Sequence, residues 1–202
     1  MGNNNRVEFF VAICALLTSV VAIWVAWDQS RVMRAQQHGM VYPVLQVEGF
    51  VSNKPETISM GLRLSNTGVG PALIESVVAS TDGEQLETLE PFRAYLPSGF
   101  AISWTGMAGR SLAPGMQVDA ISLVWDVDEI TSEQLNTAVV NWGEIDFDFC
   151  YCSVFDRCWR VGVGISRAEP VKSCPAYDRD LFEEFGMNRV MLPPSIQDEA
   201  SQ

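Results

Sequence analysis

Residues 144–165 read EIDFDFCYCSVFDRCWRVGVGI. The odd positions Ile145, Phe147, Phe149 and Tyr151 are apolar or aromatic, while Glu144, Asp146, Asp148, Cys150 and Cys152 fill the even ones. A period of two is that of a strand with one buried face. Past a turn at residues 154–157, the odd positions Trp159, Val161, Val163 and Ile165 are apolar again. Two adjacent strands that send odd residues to the same core predict an antiparallel hairpin, because cross-strand partners share a face. Of the two tight registers, one sets Cys152 opposite Cys158 and Cys150 opposite Arg160. It predicts all three sulfurs on the open face, among carboxylates.

Thiols on an open face oxidise wherever oxidants are present. Cys152 and Cys158 reach disulfide distance as a non-hydrogen-bonded pair. Cys150 is then expected to pair with Cys174, pinning residues 166–177 over the acidic face. Closing that loop of about 24 residues stabilises a fold by roughly 3 kcal/mol in the chain-entropy model. Four cysteines permit three connectivities, and spacing does not choose among them. Two other chemistries fit the same residues. Zn(II) takes four thiolates tetrahedrally, so Cys150, Cys152, Cys158 and Cys174 make a possible zinc site, although without paired C-x2-C knuckles. A redox-active dithiol is the other, although no C-x-x-C is present.

The same period of two recurs upstream. Thr57–Asn66 (TISMGLRLSN) puts Ile58, Met60, Leu62 and Leu64 on one face. Residues 41–51 and 117–125 read as further strands, and residues 71–80 as one with less regular alternation. Turn signals separate them at residues 53–55, 66–71, 82–83 and 114–115. The glycines of NTGVGP (residues 66–71) are expected at positive-φ turn positions. Two short helices are predicted, at residues 86–95 and at 131–139, the second opening on a Thr131–Gln134 capping pattern. The fold class predicted is mainly β: an antiparallel, immunoglobulin-like β-sandwich over residues 40–166, with one to three short helices. Residues 167–202 read as an extension stapled to the domain and loose at its end.

Ahead of the domain lies a different signal. Residues 9–27, FFVAICALLTSVVAIWVAW, carry no charge. A helix of that length spans about 28 Å, close to the roughly 30 Å of a bilayer's hydrocarbon. It is apolar all round, and Trp24 and Trp27 stand where indoles favour headgroups. With no small-x-small cleavage site after it, the segment reads as an uncleaved single-pass anchor that contacts the lipid bilayer, behind a short tail (residues 1–8). Cys14 reads as a lipid-facing residue. Residues 28–39 read as a juxtamembrane continuation of the helix.

Basic residues on the two sides, Arg6 before the span and Arg31 and Arg34 after it, barely favour a cytoplasmic domain. The cysteine pattern favours the opposite side. The expectation is a protein of the inner membrane with its C-terminal domain periplasmic or extracellular.

Composition narrows the function. The chain has 202 residues, 13 Lys+Arg and 25 Asp+Glu, for a formal charge of −12. Such a balance excludes nucleic acid as partner, since a phosphate backbone needs a basic stripe. NTGVGP lacks the GK[ST] ending of a phosphate loop, so no nucleotide is expected. The single histidine, His38, precedes the domain, which leaves no Ser-His-Asp or Cys-His set within it. Glu144, Asp146 and Asp148 read as a solvated face, too spread along one strand to hold calcium alone. No cofactor or catalytic residue is expected. Residues 97–114, with Phe100, Trp104 and Met107, read as a plain buried loop or, if exposed, as the best candidate for a partner-contact loop.

These residues resemble a recurring type of uncharacterised bacterial single-pass membrane protein. The likeness rests on the short anchor, on Tyr42-Pro43-Val44-Leu45, and on an N-x-G-x-G-P-A turn at Asn66, Gly68, Gly70, Pro71 and Ala72. A Y-x-[DS]-x-F hairpin at Tyr151, Ser153 and Phe155 completes it, with Asp156 where that type often has glycine. The resemblance implies membrane anchoring and a β domain, and it supplies no activity. The function expected is a non-enzymatic, membrane-anchored β-sandwich that meets a membrane or envelope protein. The alternative is a thiol-dependent protein, zinc-bound or redox-active.

Overall fold

The computed structural model describes residues 4–165, 167–175 and 180–187. The chain divides into two compact units, Met1–Met40 and Val41–Gln202. The first holds the helix α1 (Asn4–Met40), within which Glu8–Arg34 has a mean hydropathy of 2.6 and is long and apolar enough to cross a membrane. None of that segment is buried within the protein.

The second unit is mainly β. Its strands are β1 (Leu45–Asn53), β2 (Thr57–Asn66), β3 (Ala72–Thr81), β4 (Glu84–Leu86), β5 (Ala101–Trp104), β6 (Ser111–Leu112), β7 (Gln117–Asp126), β8 (Asp146–Cys152), β9 (Cys158–Gly162) and β10 (Glu169–Val171). Three short helices interrupt them: α2 (Glu90–Arg93), α3 (Ser132–Trp142) and α4 (Leu181–Met187). One antiparallel sheet runs β1-β2-β7-β5; the other runs β10-β9-β8-β3-β4, with β6 also on β3. One cluster of buried side chains draws on both, with Leu64 and Ile121 from the first sheet and Ile74 and Phe149 from the second.

Two bulges explain where the sequence pattern is irregular. In β3, Ile74 faces Tyr151 and Ser76 faces Cys150, so Glu75 is an extra residue. The phase flips there, from buried Ala72 and Ile74 to buried Val77 and Ala79. In β7 the extra residue is Ala120, between Asp119 and Ile121. α3 begins with the expected capping box: the Thr131 hydroxyl accepts from the Gln134 N–H, and the Gln134 side chain accepts from Thr131 N–H. The first helical expectation, residues 86–95, shrinks to α2, because Leu86 pairs with Ala79 in the sheet.

The NTGVGP turn works differently from the expectation. Gly68 and Gly70 are not at positive φ. Their missing Cβ atoms matter because the chain before β1 presses on them: a Cβ on Gly68 would overlap the backbone of residues 42–44, and one on Gly70 the backbone of Val41. Asn66, fully buried, holds that crossing together. Its Oδ1 accepts from the N–H groups of Val44 (3.2 Å) and Gly68 (3.0 Å). Its Nδ2 donates to the carbonyls of Gly70 (2.8 Å) and Leu112 (2.9 Å), so all four side-chain positions are used.

The domain boundary at residue 166 is corrected by α4. Leu181, Phe182 and Phe185 are buried in the shared core, and Phe182 stacks on Phe147 and Phe149 with ring centroids at 5.6 and 6.3 Å. Asp180 caps this helix, accepting from Phe182 and Glu183 N–H with Oδ1 and from Met107 and Ala108 N–H with Oδ2. The loose end expected at residues 188–202 lies outside the described residues.

Candidate functional site

The hairpin of β8 and β9 has the register that sets Cys152 opposite Cys158 and Cys150 opposite Arg160. Ser153 N–H donates to the Arg157 carbonyl, so the neighbouring Cys152/Cys158 pair is non-hydrogen-bonded, with Cα atoms 4.0 Å apart. At the turn Asp156 has φ 55°, in the left-handed region that glycine and aspartate tolerate best. Disulfides join Cys152 to Cys158 and Cys150 to Cys174.

The sulfurs stand on the face turned away from the core, and that face is covered. Cys150, Cys152 and Cys158 are only 5%, 7% and 7% exposed, although they stand outside the core cluster. The cover comes from the segment after β9, where β10 adds to β9 and Cys174 bonds back. The acidic end of β8 stays open, with Glu144 and Asp146 exposed. The two disulfides touch: Cys152 Sγ lies 3.7 Å from Cys174 Sγ. The sulfurs of Cys152, Cys158 and Cys174 all lie within 4.8 Å of one another. Bonded pairwise, they offer no thiolate to a metal.

In the loop of residues 97–114, the three apolar residues do not form one exposed patch. Phe100 and Met107 are buried in the core, and Phe100 lies 5.5 Å from the Trp125 ring. Trp104 is half-buried and lies so close to Gly186 of α4 that no Cβ fits there. The physical reason is α4 itself, which takes up the apolar side of this loop. Its signal was present in DLFEEF: a capping Asp180, then Leu181, Phe182 and Phe185 on one helical face.

A site that the sequence did not disclose is an apolar pocket of about 340 Å³ between the sheets. Met60, Leu62 and Leu123 line it from the first sheet, and Trp142, Phe147 and Val163 lie across. Gly49 and Val51 of β1 form its rim with Asp146. Trp142 is 8% exposed, and its indole N–H has no acceptor among the described residues. No periodicity marks this pocket, since it arises where Gly49 supplies no side chain at an inward position.

The model of a domain of unknown function, DUF8453, matches residues 9–149, more than half of the chain's 202. The chain belongs to the DUF8453 family. The match takes in the apolar helix and most of the pocket wall, and it ends one residue before Cys150, so the double disulfide lies outside it. The search of curated proteins finds no match.

Near the closed end of β1, Tyr151 is fully buried, and its hydroxyl accepts from Leu45 N–H at 3.4 Å. Burial pushes its pKa up to about 12, against the opposing effect of that hydrogen bond. In the unfolded chain the phenol ionises near 10. The folded state therefore keeps a proton that the unfolded state has lost, and stability is full below about pH 10 and falls toward pH 12. Denaturant titrations across that range should show a loss of roughly 2–3 kcal/mol, at about 1.4 kcal/mol per pH unit. Tyr151→Phe should lack this alkaline loss.

Proposed function

We propose that this DUF8453 protein is a membrane-tethered binding module of the cell envelope, with its β domain outside the cytoplasm and a protein as its partner. The observation that carries the reading is the double disulfide on a chain that also bears a membrane-length apolar helix. Disulfides persist in oxidising compartments. The domain reads as an immunoglobulin-like sandwich, which supplies a rigid scaffold for contact. Its sheet order β1-β2-β7-β5 corresponds to strands A-B-E-D, and β9-β8-β3 to G-F-C. The reading assigns no catalysis, because the domain contains no imidazole.

A second reading keeps the domain cytoplasmic and binds zinc through Cys150, Cys152, Cys158 and Cys174. The sulfur cluster favours it, since three of the four, Cys152, Cys158 and Cys174, have their sulfurs within 4.8 Å of one another.

Fusion of alkaline phosphatase after Gln202 should give activity, and a fluorescent protein that matures only in the cytoplasm should stay dark. Alkylation without reductant, followed by intact mass, should leave four of the five cysteines unmodified, and all four should react after reduction. Reduction should also lower stability, by about 3–4 kcal/mol for the loop closed by Cys150–Cys174 alone. Four reactive thiols with about one equivalent of zinc would replace the first reading by the second. A photocrosslinker at Val51 in intact cells should give one discrete heavier adduct with another protein. Its absence would remove the partner.

A further inference from the structure

Sheet edges expose unpaired N–H and C=O groups, and proteins shorten, cover or charge them. Three of the four edges here are short: β4 and β10 have 3 residues each and β5 has 4. β1 has 9 and pairs with β2 alone among the described strands. Thr67 N–H donates to the Val44 carbonyl, which fixes even-numbered residues of β1 as those bonded toward β2. The odd ones direct their backbone groups outward. At the start of β1 these are covered: Leu45 N–H donates to Tyr151, and the Val47 carbonyl accepts from Gly164 N–H. Gly49 and Val51 come next, and both are exposed. The stretch GFVS at residues 49–52 contains no Pro and no Lys to guard it.

Side chains of the odd residues point inward, as buried Leu45 and Val47 show. At Gly49 that direction is empty: a Cβ there would meet nothing nearer than the Gly61 carbonyl at 4.0 Å. The space beneath is the 340 Å³ pocket, with the unsatisfied Trp142 N–H in its wall. Around it, carboxylates outweigh the cations, of which exposed Lys54 follows β1. Glu48 is exposed on β1, Asp146 stands on the rim, and the nearby Arg63 is already held by Asp119 at 2.6 Å. Residues 39–202 carry 10 basic and 23 acidic side chains.

We propose that residues 49–52 of β1 accept an extended segment of a partner protein by strand addition. The segment is apolar at alternate positions and flanked by Lys or Arg. The open edge supplies main-chain hydrogen bonds, and the pocket takes one apolar side chain, which is how strand addition divides affinity from specificity. The acidic rim selects the basic flanks. This inference rests on the protein-partner reading above and names the partner's chemistry.

The test uses the full chain, disulfides intact, in lipid nanodiscs. The probes are synthetic nonapeptides with Val, Ile or Leu at every second position and Ser or Thr between, ending in Lys or, as controls, in Glu. Lys-ended peptides should bind at least tenfold more tightly than Glu-ended ones and should slow amide exchange at Gly49 and Val51. Gly49→Leu, which fills the pocket, should weaken binding at least tenfold. Val51→Pro should do the same by removing an outward N–H that no described residue accepts, with the melting curve unchanged.

Absence of binding across the panel, or binding that both variants leave intact, overturns the proposal. So does a dimer of the chain joined β1 to β1, or a pocket that takes free fatty acids while ignoring peptides. A Val51 crosslink that persists in cells alongside any of these results would leave the partner reading standing and sink the strand-addition site alone.

Discussion

Replacing Asn66 with leucine should lower the unfolding free energy of the domain by about 4 kcal/mol or more. Each buried backbone group left without a partner costs about 1–3 kcal/mol, and this change takes the side-chain partner from two buried groups and two partly buried ones. The groups are the N–H of Val44 and Gly68 and the carbonyls of Gly70 and Leu112. Leucine has similar bulk, so the loss would come from hydrogen bonding and not from a cavity. Asn66 also bonds through its own backbone, accepting from Gly115 N–H and donating to the Met116 carbonyl, so the crossing of three chain segments depends on it.

A second variant separates donor from acceptor roles. Asn66→Asp keeps the acceptor and loses both donors. A carboxylate forced against two carbonyls in a buried site has its folded-state pKa raised above the unfolded value of about 3.9. Its penalty relative to the parent should therefore be full near pH 7 and shrink as pH falls toward 4, where a protonated carboxyl donates again. Guanidinium titrations of both variants at the two pH values check this. A cost below about 1 kcal/mol for Asn66→Leu would show that the crossing is held by packing.

Phe182→Ala should be of similar size, about 3–5 kcal/mol, as for large aromatic truncations in a core. The ring is fully buried and stacked on Phe147 and Phe149, the inward residues of β8. Its loss would uncover the sheet at the strand that carries Cys150 and Cys152. Differential scanning calorimetry of the full chain gives the measurement, with Glu183→Ala as the exposed control, expected within about 0.5 kcal/mol of the parent. An effect of that smaller size at Phe182 would mean that α4 is an accessory to the core, as the sequence reading held.

Much of the fold was legible. The alternation of Thr57–Asn66 and of residues 144–165 located β2, β8 and β9 and their inward faces, because a buried face writes itself into every second residue. The same rule left two tight hairpin registers, and the structure has the one that sets Cys152 opposite Cys158. Regions where local pattern and tertiary need diverge were not legible. The bulge at Glu75 breaks the alternation of β3 without any turn residue to announce it. Gly68 and Gly70 looked like turn formers, yet each is glycine because another segment passes against it. α4 is one short amphipathic stretch, too brief for periodicity to assign it to the core.

The sequence by itself determined an uncharged helix of membrane length, a β domain with period-two strands, and a hairpin limited to two tight registers, one of which brings Cys152 to Cys158. These are local properties, set by side-chain order within a single element or an adjacent pair. Only the tertiary structure decided that the sulfurs are covered, that Phe100 and Met107 face inward, and that β1 leaves an open edge over an apolar hollow. Each of those depends on which distant segment arrives at a surface, and burial is a property of the pair of surfaces that meet.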